Sequence, residues 1–492
     1  MSGEPLRYAA VACGKRIPES EHAVSVSLPT MRDVIGYEQQ RPAVMRHICS
    51  GYPRFISHWM VQRVQALLGE RVVALRDEAA VGLLQRRLGV DLEVVAGVPF
   101  GAVRLPADRD VQLEEALQRF LQHTGLQLSS REAEDWLVQQ GVLPDETHEA
   151  VPSVAHPADV VRETLSLAYG THAAQVALFP SGMAAYYTVF DALDRLQRPV
   201  GRDVWLQVGW LYLDTSALLE RYAGETRVFA VDALDELEAY LRHGHHRVAA
   251  ITTEIMTNPL LQTADIMRLS SLCRQYDIPF LIDTSMPTPI NVDVLERADI
   301  VLESLTKFAG GHADVMAGAA IFRPDSAWAD GVRKRLCQSQ PYHRDLNVLA
   351  YHIRDYRTRM QQINQHAAHL VDYFEGHPGV RSVFGAGQDG SRSFYDAVKR
   401  PDGGYGGVIS VVFQKPLEQI YDRLPLLKGP SFGTVFTLCM PYVYLAHFDL
   451  VSTSEGRAKL QRYGVDPELL RISVGLEPVD AIIAAFEAGM QG

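Results

Sequence analysis

Ser304-Leu305-Thr306-Lys307-Phe308-Ala309-Gly310-Gly311-His312 is the stretch from which the fold of this chain is read. It follows Ala298-Asp299-Ile300-Val301-Leu302, a short apolar run that predicts a buried strand with Lys307 just past its end. Upstream, Ile278-Pro279-Phe280-Leu281-Ile282 predicts a second strand that ends in Asp283. Strand ends of one open α/β sheet line the crevice where such sheets hold ligands. Each residue also has an ordinary reading. Lys307 can snorkel from a strand end to water, and Asp283 can cap a helix beginning near Met286-Pro287.

Outward from this pair, strand-then-helix units recur from about residue 158. The strands are predicted at 176–179, 203–207, 226–231, 248–252, 279–282, 300–302 and 317–322. Short Val/Ile/Leu-rich runs between amphipathic helices predict an α/β fold with a mostly parallel sheet covered on both faces. Residues 156–335 form this large domain, and 336–492 a C-terminal α+β domain with strands at 408–413 and 470–474. Residues 1–60 are rich in turn signals and read as an extended arm. Residues 61–155 read as an inserted α/β unit. Its helices are expected at 59–68, 78–88, 111–124 and 129–140, and its strands at 72–75 and 92–95. Residues 142–157, with three prolines, read as a linker.

Other residues carry what a cofactor cavity needs. Leu178-Phe179-Pro180-Ser181-Gly182-Met183-Ala184-Ala185 reads as strand, tight turn and helix start. Free N–H groups and small residues there suit a phosphate, although an empty capped helix has the same pattern. Ser304 and Thr306 add hydroxyl donors beside Lys307. Tyr212 offers a face to stack on an aromatic ring, or fills a core. Asn258 is a partner for a ring oxygen, or a turn former before Pro259. Arg471, in the alternating run Leu469-Leu470-Arg471-Ile472-Ser473-Val474, needs an anion: a substrate carboxylate, or an internal Asp or Glu.

Together these are the requirements of pyridoxal 5'-phosphate (PLP). A buried, neutral Lys307 bonds the aldehyde as a Schiff base and later shuttles protons. Asp283 keeps the pyridine nitrogen protonated, so the ring accepts electrons.

At 492 residues the chain exceeds one simple core, and 47% apolar with 22% charged residues is the composition of a globular protein of two or three domains. A formal charge of −12 argues against nucleic acid as a partner, since a polyanion binder carries a basic excess. No run reaches membrane-spanning length, so no membrane partner is expected. Cys13, Cys49, Cys273, Cys337 and Cys439 lack metal-ligand or redox spacing. The expectation is reduced thiols, no metal, and a cytoplasmic protein without a signal segment.

These strings together resemble the cystathionine γ-synthase family of PLP enzymes, the Cys/Met-metabolism group of fold type I, from about residue 20 onward. Thr257-Asn258-Pro259-Leu260-Leu261, the strand ending in Asp283, Ser304-Leu305-Thr306-Lys307 and Gly310-Gly311-His312-Ala313-Asp314-Val315 follow the family's order and spacing. Ser181-Gly182-Met183 matches its phosphate turn, and Leu470-Arg471-Ile472-Ser473 its carboxylate-binding segment. Tyr52-Pro53-Arg54 resembles a Tyr-x-Arg pair that reaches into the neighbouring subunit's phosphate site. This implies a site built in a homodimer, with a homotetramer usual. Gly429-Pro430-Ser431-Phe432-Gly433-Thr434 resembles the long, fungal-type members and implies a substrate-side role for Ser431. Such members carry an insertion between the Tyr-x-Arg pair and the phosphate turn. Two departures touch the substrate pocket. Pro430 replaces a glutamate of shorter members, and Leu213-Asp214 replace glycines or a cysteine.

The resemblance implies γ-replacement on an O-acyl-homoserine with cysteine to give cystathionine, a transsulfuration step of methionine biosynthesis. Lys307 moves the proton, Tyr212 stacks and acts as a base, and Arg471 orients the amino-acid carboxylate. The alternative is a γ-lyase acting on a canavanine- or methionine-like amino acid. A third reading, of another class, is a non-catalytic scaffold whose insertion binds a partner.

Overall fold

The computed structural model describes residues 11–491 apart from 109, 148, 150, 337–339 and 389, so Cys337 lies outside the described residues. The central layer is a seven-stranded sheet. Its order is Val176–Phe179, Gly318–Phe322, Ile300–Glu303, Phe280–Asp283, Val248–Glu254, Val204–Val208 and Glu225–Phe229. The last five run parallel, and Gly318–Phe322 runs antiparallel to both its neighbours. Val204–Val208, Val248–Glu254 and Ile300–Glu303 are buried throughout, which is why they read as near-continuous apolar runs. Parallel pairing also brings equivalent strand ends to one edge. Asp283 pairs in register with Glu254 on one side and Leu302 on the other.

The C-terminal sheet has the order Val380–Phe384, Val408–Phe413, Leu470–Ser473, Leu438–Pro441 and Leu427–Lys428. Its first four strands are antiparallel and its last pair parallel. Arg471 sits in the middle strand, opposite Ser410 and Met440. Three of these strands escaped the sequence reading, because two are very short and Val380–Phe384 is half-exposed, with adjacent polar residues Arg381 and Ser382 that break any alternation.

The first 60 residues are not an extended arm. Thr30 and Asp33 form a capping box that starts the helix Met31–Glu38, followed by Pro42–Met45. Leu28 and Val34 are fully buried in the main core, and the Met31 N–H donates to Asp422. The turn signal at Leu28-Pro29-Thr30 is a helix cap, whereas Ser50-Gly51-Tyr52-Pro53-Arg54 is a turn.

The inserted unit has its helices where the periodicity placed them: Trp59–Leu68, Glu78–Leu88, Val111–Thr124 and Ser130–Gln139. Its sheet is antiparallel, with Gly101–Arg104 between Val72–Leu75 and Glu93–Val94. That central strand was missed because it opens on glycine. A Cβ at Gly101 would lie 2.2 Å from the Asp77 carbonyl oxygen, so only glycine lets the Glu78–Leu88 helix approach. One side of the unit has a core of its own, around Met60, Val64, Phe100 and Leu137. The other side shares a core with the large domain, where Leu84 and Phe120 join a cluster containing Phe179, Tyr187 and Phe190. Residues 142–156 run without helix or strand among their described positions. Among the described residues no helix is long and apolar enough to cross a membrane, and no group of His, Cys, Asp and Glu is placed to hold a metal.

Candidate active site

The strand ends of the large sheet, the C-terminal sheet and the N-terminal segment enclose a cavity of ≈ 380 Å³. Lys307 enters it a short turn after Ile300–Glu303. Its Nζ donates to Ser431 Oγ at 2.9 Å and lies 4.6 Å from the Tyr52 ring centre. Burial pushes the lysine down from its ordinary pKa. Tyr52 opposes that shift, while the nearby Arg471 and Arg54 charges add to it. A lysine held this way yields the neutral amine needed for attack on an aldehyde. Ser431, its acceptor, has φ +96°, the left-handed region that non-glycine residues seldom occupy.

Asp283 and Glu254 stand side by side on paired strands and both line the cavity. Burial raises both carboxyls, and Glu254 is raised well above its ordinary range, with the Asp283 charge adding to the effect. The backbone N–H of Ser285 donates to Asp283 Oδ1 at 2.7 Å and partly offsets its burial. Burial disfavours ionisation more strongly at Glu254 than at Asp283, so Asp283 is the better suited of the two to carry the charge that a protonated pyridine nitrogen would need. Sequence reasoning overlooked Glu254, although a glutamate closing an otherwise apolar strand was a usable signal.

At the opposite end, Gly182, Met183 and Ser304 line the cavity. A Cβ at Gly182 would lie 2.8 Å from the Ser304 Cβ, so the glycine leaves the helix start open to a ligand. Two residues expected to serve as donors also bond the backbone. Ser181 Oγ accepts the Ala184 N–H at 3.0 Å as the helix N-cap. The Thr306 hydroxyl donates to the Ala317 carbonyl and accepts its N–H. Both hydroxyls brace the turn: Ser181 Oγ, an acceptor in its bond, keeps its O–H to donate, and Thr306 also bonds the cavity residue Tyr52.

Tyr52 and Arg54, expected to serve a neighbouring subunit, lie in the cavity of their own chain. Arg54 Nη2 donates to Tyr212 Oη at 2.6 Å, and Nη1 to Asp214 Oδ2 at 2.5 Å. Its Nε is buried with no acceptor. Burial disfavours ionisation of Tyr52, but Lys307 and Arg54 outweigh it and lower its pKa. Tyr212 goes the other way, raised well above its ordinary value chiefly by burial. It therefore stays a neutral phenol whose hydroxyl donates to Asp214 at 3.0 Å.

Arg471 is 4% exposed and, among the described residues, has no carboxylate within ion-pair distance. Its guanidinium donates to Asn258 Oδ1 at 3.2 Å and the Ser431 carbonyl at 2.9 Å, with the Phe432 and Tyr442 rings near its faces. Burial pulls it down to about 10. The internal-ion-pair alternative is thus absent, and the free charge fits an incoming carboxylate. Asn258 consequently holds Arg471 as well as lining the cavity.

These residues fit PLP. An amine of depressed basicity, a carboxylate that would hold a pyridine nitrogen, an open helix start and an unanswered Arg54 donor that would suit a phosphate all meet in one cavity. Residues 157–491 match the family model described as Cys/Met metabolism PLP-dependent enzyme. The chain belongs to that family. Its cofactor is PLP, and its large sheet with the smaller C-terminal domain is the fold type I architecture. The chain is 40% identical over 490 residues, 97% of each chain, to the L-2-amino-4-chloropent-4-enoate dechlorinase/desaturase of Streptantibioticus cattleyicolor. It is 29% identical to the cystathionine γ-synthase of Neurospora crassa, covering 97% of this chain and 98% of the relative. The solved cystathionine γ-lyase of Lactobacillus plantarum, complexed with L-serine, superposes with a TM-score of 0.56 at 25% identity, covering 64% of this chain and 82% of that one.

Proposed function

We propose that the protein removes a leaving group from Cγ of a small L-amino acid whose γ-substituent carries no charge. The observation that carries this reading is the inventory of cations. Among the described residues lining the cavity, Arg54, Lys307 and Arg471 are the only lysines and arginines. Arg54 is neutralised by Asp214, Lys307 is needed as a base, and Arg471 suits the α-carboxylate. No cation is left for a succinyl carboxylate, or for the carboxylate of a second amino acid. Glu38 lines the cavity too, its carboxyl pushed up to about 7 by burial and by Asp449. An acidic wall further disfavours an anionic tail. The relative named for losing chloride from an uncharged chlorinated tail supports the same reading.

When bound, PLP supplies an electron sink that stabilises negative charge at Cα and Cβ. Arg471 orients the carboxylate, the neutral Lys307 amine takes and returns protons, and the Tyr212 ring is available to stack. γ-Replacement with cysteine, giving cystathionine, is the second reading, favoured by the full-length similarity to the fungal synthase. Cytoplasmic residence and assembly as at least a homodimer, with a homotetramer usual in the family, are part of the proposal under either reading.

The test is mass-spectrometric product analysis with L-2-amino-4-chloropent-4-enoate, O-acetyl-homoserine and O-succinyl-homoserine, each with and without cysteine. Release of chloride or acetate that is indifferent to cysteine, with poor use of the succinyl ester, is expected. Cystathionine formed only with cysteine, and faster than any elimination product, would move the assignment to the synthase. No turnover of any of the three would remove both readings.

A further inference from the structure

The sequence departs from shorter relatives at Leu213-Asp214 and carries an insertion they lack. In the structure these two features meet. Asp214 is fully buried in the first turn of the helix Leu213–Tyr222. Its carboxylate collects three donors: Arg54 Nη1 at 2.5 Å, Tyr212 Oη at 3.0 Å and Gln122 Nε2 at 2.7 Å. Gln122 comes from the insertion's Val111–Thr124 helix, and its backbone carbonyl also accepts from Arg54 Nη1 at 2.6 Å. Gln122 does not line the cavity. At the end of the same helix, Gly125 has φ +62°, and a Cβ there would lie 2.2 Å from Ser181 Oγ, the cap of the phosphate turn. The insertion is therefore fitted against the cofactor end of the site at two places.

Chain connectivity adds a constraint. Only four residues, Phe55 to His58, separate Arg54 from the insertion's first helix, Trp59–Leu68. Four extended residues span at most about 14 Å. Arg54 must go wherever the insertion docks. The insertion docks on its own chain, through the shared core around Phe120 and Phe190 and through Arg131, whose Nη1 donates to Asp345 at 2.7 Å.

We propose that the inserted unit completes the active site of its own chain, with Asp214 and Gln122 as positioning residues that hold Arg54 and Tyr212 against the cofactor. Three of the five Arg54 donors are satisfied by Gln122, Asp214 and Tyr212, which directs the unpaired Nε edge to the phosphate.

The decisive experiment is subunit complementation, with differently tagged Arg54→Ala and Lys307→Ala chains co-expressed and hybrids isolated through both tags. Only the Arg54→Ala chain of a hybrid retains Lys307. Borohydride trapping at limiting PLP, followed by intact-mass analysis, reads how tightly that chain holds PLP, independently of turnover. The expected result is the same weak retention and low turnover as in Arg54→Ala alone. Retention and turnover restored to the parent level would mean that the other chain supplies Arg54, and would overturn the proposal. An active monomer that forms no hybrids would uphold it. Gln122→Leu tests the positioning step and should weaken PLP binding about tenfold, with little change in the melting temperature of the PLP-free protein. Unchanged PLP affinity in Gln122→Leu, and likewise in the isosteric Asp214→Asn should the first variant fail to fold, would reduce the network to a structural one.

Discussion

The cavity has two walls of different origin. One is built by strands and their ends: main-chain pairing within two sheets places Asp283, Glu254 and Arg471, and Asn258 and Lys307 sit in the turns that follow Val248–Glu254 and Ile300–Glu303. The other is built by the N-terminal segment and the insertion, where Tyr52, Arg54 and Glu38 are placed by side-chain bonds and packing across distant parts of the chain. The difference separates chemistry from grip. Groups that must stay fixed while protons move are set by backbone geometry. Groups that select and retain ligands are set by contacts that substitutions can retune.

If that division holds, the largest losses follow changes on the sheet-built wall. Lys307→Ala removes the attachment point and the proton carrier together, and turnover should fall about 10⁴-fold or more. Borohydride trapping should find no covalent PLP, and retained turnover would sink the mechanism. Asp283→Asn should cost about 10²–10³-fold in turnover by removing the charge that would keep the pyridine nitrogen protonated. Covalent PLP should persist in that variant, as its absorption spectrum would report. Arg471→Lys exchanges a planar fork for a point charge, and KM should rise about tenfold or more while kcat changes less. Steady-state kinetics on the preferred substrate checks this.

On the other wall the effects should be smaller and selective. Glu38→Gln should raise the use of O-succinyl-homoserine relative to O-acetyl-homoserine about threefold, the size of one weak, partly ionised charge interaction. A loss for both esters alike would instead place Glu38 with the sheet-built groups.

The smallest effect concerns pH. Glu303 is buried and takes the hydroxyls of Tyr169 and Tyr356, each at 2.7 Å. Burial lifts it from 4.5 to about 7, against the opposing effect of those two hydrogen bonds. The folded form thus holds this proton more tightly than the unfolded chain does. The stabilisation is fully present below 4.5 and is lost as pH rises through about 7. Glu303→Gln should flatten the decline in melting temperature across that window, and an unchanged slope would show that other groups set it.

The sheet-built wall was largely legible in the sequence. Lys307, Asp283 and Arg471 stand out because each interrupts or ends an apolar run, and a buried charge is costly enough to require a purpose. Periodicity likewise placed Trp59–Leu68, Val72–Leu75 and Glu78–Leu88 correctly. It failed where a residue's role depends on what faces it. Ser181 and Thr306 carry suitable hydroxyls, and nothing local shows that Ser181 also caps a helix and that Thr306 also bonds the Ala317 backbone. Asp214 was visible as a departure from shorter relatives, yet nothing local to it names Arg54 and Gln122 as partners. The Tyr52 and Arg54 pair, expected in a neighbouring subunit, lines the cavity of its own chain here, which no local pattern announces. Short-range pattern encodes the segment, while the docking of the insertion decides where the segment goes.

The lengths of chain that these bonds close have a consequence for how the protein reaches its native state. Arg54 and Asp214 are 160 residues apart, and Arg131 and Asp345 are 214 apart. Arg471 joins from close to the C-terminus. Loop-closure entropy must be met before such contacts contribute, so local strands and helices form ahead of them. The cavity is then among the last regions to consolidate during folding. Capture of PLP becomes a reporter of finished synthesis and tertiary assembly, and a nascent chain that stalls before Arg471 presents Lys307 without the site that uses it.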